Sequence, residues 1–247
     1  MKASVSPAVA IFALLALPCM ALVAVAQDVV VQKDGQRREG QITGVKDNVL
    51  RIKVGPAETG VPMANVASVT MAPPKAYEDT LAAWQSGDAK KTLSLLTPLV
   101  TGFNGLPTKW AERASALLGE AFLAAGQIDK AAAAFADFQK FYPSAASTAE
   151  VGLARLAIEK KDYSTARAKL TPIVEKAKAT KLAESGECAV FGQALFLLGL
   201  VQEASGEKSE ALENYILVTT LFPEDKAVTQ KALERINSLA EKNVIAP

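Results

Sequence analysis

The 247-residue chain contains no histidine. Without an imidazole there is no Ser-His-Asp or Cys-His nucleophile arrangement and no His-containing zinc site. Cysteine is nearly as scarce: Cys19 falls in an N-terminal apolar stretch, and Cys188 reads as a small buried residue. Carboxylate pairs or a lysine could still act as acid, base or nucleophile. No spacing among the 26 acidic residues gathers them that way. No catalytic, cofactor-binding or metal-binding residue is therefore assigned, and the chain reads as a non-enzyme.

The chemistry that remains is recognition, so the elements that would position it come next. Lys2 is followed by an uncharged apolar run from Val5 to Ala26, closing on Ala24-Val25-Ala26 before Gln27-Asp28. A short basic start, an apolar middle and small residues at the end read as a signal peptide, residues 1–26, cleaved on export. The competing reading is a retained membrane anchor, since about 20 apolar residues span a bilayer. Pro7 and Pro18 interrupt the run, and Pro18, where a lipid-attachment site wants Gly, Ala or Ser, argues against lipid attachment at Cys19. The expected location is the periplasm, or another exported one, with any membrane contact made through an uncleaved anchor. Loss of Lys2 leaves 26 basic against 26 acidic residues, a balance that argues against a nucleic-acid partner.

Residues 27–73 alternate in short segments. Val29-Val30-Val31-Gln32-Lys33 runs into Asp34-Gly35, a hairpin turn pair, and Glu39 to Val45 runs into a Lys46-Asp47-Asn48 turn. Val49 to Val54 alternates apolar and basic residues, Gly55 to Pro62 reads as a loop, and Val66 to Met71 reads as a further strand. Four or five short strands in this length are expected to close as a small all-β barrel. Lys33-Asp34-Gly35, Gly40, Gly44 and Asp47-Asn48 resemble the first half of Sm-like and SH3-like barrels, in which glycines serve bent strands. Such barrels bind RNA or peptides, and here the unit is read as a structural or protein-contacting module.

After Pro73-Pro74 the period becomes helical, through residues 74–247. LLGEAFLAAGQIDKAAAAFADFQKFYP, from Leu117 to Pro143, repeats itself 80 residues later. Leu118-Gly119 matches Leu198-Gly199, Gly126 matches Gly206, Ala131 matches Ala211, Phe135 matches Tyr215 and Pro143 matches Pro223. Two fainter units share Leu96-Thr97-Pro98-Leu99-Val100 and Leu170-Thr171-Pro172-Ile173-Val174, offset by 74. The glycine, alanine, aromatic and proline register resembles the tetratricopeptide (TPR) repeat, whose helix pairs stack into a solenoid. The fold class expected is mainly α: a TPR-like solenoid of about four helix pairs plus a capping helix, preceded by the small β-barrel. Turn positions Gly87, Gly126, Lys161 and Gly206 are spaced 39, 35 and 45 apart, against about 34 in an ideal repeat. The surplus is read as a loop at Thr101 to Pro107 and a helical extension from Lys176 to near Gly186. Val228, Ala232, Leu233, Ile236 and Leu239 are read as the apolar face of the cap.

An exported chain carrying this repeat is similar to YbgF-type and BamD-like proteins of the Gram-negative envelope, the likeness being clearest at Phe135 to Pro143 and Tyr215 to Pro223. It departs from them in having no lipobox and no N-terminal coiled coil. The resemblance implies a scaffold in envelope assembly or maintenance that binds a protein or peptide on the face formed by the first helices. Mapped onto this chain, that face carries Tyr77, Leu81, Trp84, Arg113, Glu120, Arg155, Gln193, Phe196 and Glu203. Each of these also reads as ordinary core or solvated surface. Two further readings stay open: an envelope carbohydrate- or peptidoglycan-binding protein, or enzyme, acting through the barrel, and a homo-oligomer formed through the barrel edges or array ends.

Overall fold

The computed structural model describes residues 27–180, 185–242 and 244–247. The proposed signal peptide, residues 1–26, lies outside them. Five strands come first: β1 (Asp28–Gln32), β2 (Arg37–Lys46), β3 (Val49–Val54), β4 (Ala57–Pro62) and β5 (Val66–Thr70). The turns are written in the sequence. Asp34 Oδ1 accepts the Gln36 N–H at 2.9 Å, and Gly35 sits at φ 84°. Asp47 and Asn48 hold φ 52° and 61°, the paired left-handed conformation of a tight hairpin.

The stretch read as a loop from Gly55 to Pro62 is a correction. Ala57–Pro62 is a strand, paired antiparallel to β3 with Val54 opposite Ala57 and Leu50 opposite Val61. It escapes pattern reading because Val61 is its one buried apolar residue. Pro62 is tolerated because β4 is an edge strand. The sheet order is β4-β3-β2-β1-β5. β4 and β5 end the ladder, so the expected barrel takes the form of a five-stranded antiparallel sheet, with register shifts at Ile42/Gly44 and Val31/Gln32.

Val30, Ile42, Leu50, Ile52 and Val61 are all buried on the inner face of the sheet. Their cluster continues without a break into Tyr77, Leu96, Leu99, Val100, Leu106 and Trp110 of the helical part. Sheet and helix meet tightly at Gly44, where a Cβ would lie 2.6 Å from the Gly102 carbonyl oxygen. A side chain there would push the sheet off the helix.

Nine helices follow among the described residues. The pairs are α1 (Lys75–Gln85) with α2 (Ala89–Phe103), α3 (Lys109–Ala124) with α4 (Ile128–Phe141), α5 (Ala146–Glu159) with α6 (Tyr163–Ala179), and α7 (Ser185–Ala204) with α8 (Lys208–Leu221); α9 (Lys226–Ala240) stands last. This is a TPR-like solenoid. Asp88, Thr108, Asp162 and Asp225 cap α2, α3, α6 and α9 through side-chain oxygens. The four turn positions inside the pairs, Gly87, Gly126, Lys161 and Gly206, all take φ between 59° and 87°. Lys161 does so with a side chain, in a region that costs an L-residue roughly 1–2 kcal/mol.

Three boundaries differ from the sequence reading. Thr101 to Phe103 finish α2, and the loop starts only at Asn104. The extension read from Lys176 to near Gly186 is two elements: α6 stops at Ala179, Thr180 is extended, and Ser185 opens α7. Leu233 is 42% exposed, so the buried stripe of α9 is Val228, Ala232 and Leu239.

Aromatic rings seated against glycines determine the helix separations. A Cβ on Gly119 would lie 2.5 Å from Phe135 Cε1, and one on Gly152 would meet the same ring. A Cβ on Gly199 would lie 2.5 Å from Tyr215 Cε1. Ala131 and Ala211, one turn before the rings, are fully buried. Gly119→Ala gains about 1 kcal/mol of helix propensity and loses about 1–3 kcal/mol to overpacking. A net loss in urea unfolding is expected for Gly119→Ala and Gly199→Ala, whereas Lys161→Gly should gain about 0.5–1 kcal/mol.

Candidate protein-binding surface

The first helices α1, α3, α5 and α7 carry the recognition candidates, and most of those side chains are engaged within the fold. Glu120 on α3 accepts a hydrogen bond from Arg155 on α5, a pair that is about a quarter exposed. Glu203 on α7 binds Arg235 on α9 through two contacts, at 2.5 and 2.9 Å, and also accepts the Tyr215 hydroxyl at 3.1 Å. Gln193 donates to Asp225, the cap of α9, at 3.0 Å. These residues tie α3 to α5 and α7 to α9 and its cap.

The aromatic candidates are also packed inward. Tyr77 is buried with its ring 6.0 Å from Trp110, Phe196 is half-buried 5.7 Å from Tyr215, and Leu81 and Trp84 pack against the core shared with the sheet. Arg113 is the exception. It is exposed and in no ion pair among the described residues, with Tyr77 within range of its charge.

Burial raises Glu120 above the usual carboxylate value, and the Arg155 guanidinium pulls it back. Burial likewise raises the Tyr215 hydroxyl, and the neighbouring Glu203 carboxylate adds to the shift. Arg235 is raised chiefly by its hydrogen bond to Glu203. These groups serve as clasps between helices.

The recess on this face lies elsewhere, along the first turns of the first helices. A hollow of about 400 Å³ spans Lys109 and Glu112 on α3, Ser147 and Thr148 on α5, and Glu187, Val190 and Phe191 on α7, with Lys176 at the end of α6. None of the sequence-named candidates lines it. Its charges are balanced by Lys109–Glu112 at 3.6 Å and Lys176–Glu187 at 2.6 Å. The hydroxyls of Ser144, Ser147 and Thr148 add donors and acceptors. α5 begins without a side-chain cap, a 3-10 turn at Pro143–Ala145 running straight into it. Sequence reading passed over these residues because it followed the middle of each first helix, whereas the recess opens at the helix starts.

Replacing Arg155 by Met leaves the Glu120 carboxylate half-buried without its partner. The expected loss is about 1–2 kcal/mol, the exposed quarter of each side chain damping the effect. Because the folded Glu120 is raised above its ordinary value of 4.5, the native state binds its proton longer than the unfolded chain does. Its contribution therefore falls as pH rises through 4.5 towards the folded value. Urea unfolding at stepped pH should show Glu120→Gln lacking that part of the slope.

Residues 116–145, from the middle of α3 to the turn after α4, match the tetratricopeptide repeat family. No curated protein matches the chain. Among solved structures it is similar to MamA, residues 41 to end, from Desulfovibrio magneticus RS-1. The identity is 18% over 68% of this chain and 93% of that one, with a TM-score of 0.44. It is also similar to a kinesin-light-chain-like protein of Podosopora anserina with nearly identical TPR-like repeats. There the identity is 17% over 68% of this chain and 95% of that one, with a TM-score of 0.45.

Proposed function

We propose that this chain is a non-enzymatic, exported scaffold that holds an extended segment of a partner protein along its first-helix face, in the periplasm, in the service of envelope assembly or maintenance. The observation that carries the binding reading is the hollow across α3, α5 and α7. It is long enough to touch three successive repeats, and it offers hydroxyls, balanced charges and the Phe191 ring without a deep reaction cavity. An extended peptide uses such a surface through backbone hydrogen bonds and one or two side-chain anchors. Arg113 is an exposed cation of the same helix face in no ion pair among the described residues, available to a carboxylate on the partner.

Export and the envelope role rest on the leader pattern of residues 1–26 and on the likeness at Phe135 to Pro143 and Tyr215 to Pro223. Against the reading in which the β unit binds sugars or performs catalysis stands its packing. The inner face of the sheet is filled by its own core and by α2.

Photo-crosslinking residues placed at Thr148 and Val190 in the native envelope should trap the same protein, and one placed at exposed Lys231 on the cap should not. Equal capture from Lys231, or none from the hollow, overturns the assignment. N-terminal sequencing of the envelope-extracted protein should begin at Gln27; a chain that retains residues 1–26 would contradict the cleaved leader.

A further inference from the structure

The two strongest repeats sit in duplicated pairs, and the duplication exposes a difference on the opposite side, among the second helices. Each half has a hollow between the start of its first second-helix and the turn of the following pair. One, of about 670 Å³, lies between α6 and the α7–α8 turn; the other, of about 640 Å³, lies between α2 and the α3–α4 turn. Most of their lining positions correspond, Leu93 to Arg167 at offset 74 and Gln127 to Glu207 at offset 80.

In the second copy the charge is answered from within. Arg167 donates to both oxygens of Glu207, at 2.9 and 2.7 Å. In the first copy that fork is replaced by Leu93 and Gln127, and the wall gains the Phe122 ring. The charged residues that line it are Lys90 and Lys130, with no carboxylate among the lining residues. Both lysines are exposed and in no ion pair among the described residues, and the Lys130 ammonium rests 5.7 Å from the centre of the Phe122 ring. An apolar slot with two cations at its rim is complementary to an apolar side chain flanked by carboxylates.

The geometry points to a second docking site on this chain, the groove between α2 and the α3–α4 turn, for an acidic segment of a partner protein that buries one large apolar side chain on Leu93 and Phe122 while its carboxylates meet Lys90 and Lys130. The site is separate from the first-helix hollow and stands or falls apart from it.

The test uses the folded chain and two fluorescent hexapeptides, one with a central Phe-Leu pair flanked by Asp and Glu, the other with the same pair flanked by Lys. Saturable binding of the acidic peptide, weakened by salt, is expected, with none of the basic one. Leu93→Arg with Gln127→Glu writes the internal ion pair of the second copy into the first, and should weaken the acidic peptide about tenfold or more. Lys90→Glu with Lys130→Glu, both surface positions, should do the same with the thermal unfolding midpoint little changed. Arg113→Glu should leave the affinity as it was. Equal binding of both peptides, unchanged affinity in both double variants, or no saturable binding overturns the site; loss on Arg113→Glu alone would move the peptide to the first-helix face.

Discussion

A ring pressed into a gap that only glycine leaves open determines how close the helices of this array come. Phe135 of α4 fits against Gly119 on α3 and Gly152 on α5, so one side chain sets two interhelical distances. Burying such a ring contributes about 1.5–3 kcal/mol, but its greater effect is on register. The interior is close-packed, and a methyl group on either glycine has nowhere to go. Tyr215 against Gly199 repeats the device between α8 and α7.

The Phe135 contact lies at a seam. The apolar interior is gathered into two large clusters, one running from the sheet through α3 and one running from α5 to α9. Between them are small clusters around Phe135 and Phe138. Where apolar contact is thin, polar clasps cross: Glu120 with Arg155, and Gln139 with Glu150 at 2.6 Å. Exposed ion pairs contribute little energy each, but they fix direction. The polar hollow crosses the same seam, from α3 to α5 and on to α7.

Both ends of the solenoid are closed, by different means. A stack of helix pairs leaves an apolar face at each end that must be covered. α9 covers the last pair with Val228, Ala232 and Leu239. The sheet covers the first, its core merging with Leu96, Leu99 and Val100 of α2. The backbone contact at Gly44 and Gly102 makes that junction tight. The β unit thereby has a structural task.

Much of this could be read from residue order, because it depends on neighbours. Helical periodicity, the turn residues at Gly87, Gly126 and Gly206, and the 80-residue echo of glycine, alanine, aromatic and proline are local or repeated signals, and they specify the helix pairs and the cap. Asp34-Gly35 and Asp47-Asn48 specify two hairpins in the same way. β4 was hidden because a strand between Gly-Pro and Pro, with one buried valine, has almost no pattern of its own; β3 makes it a strand by pairing with it. The partners of Glu120, Gln193 and Glu203 were hidden for a related reason. Arg155, Asp225 and Arg235 lie 32 to 35 residues away from them, and whether two such side chains meet depends on the pitch of the superhelix. So the sequence by itself determined the units, their register and their small and large positions, which are set within one or two turns of chain. Tertiary structure alone decided which polar residues became clasps and where the open recesses lie, because those follow from how the units stack.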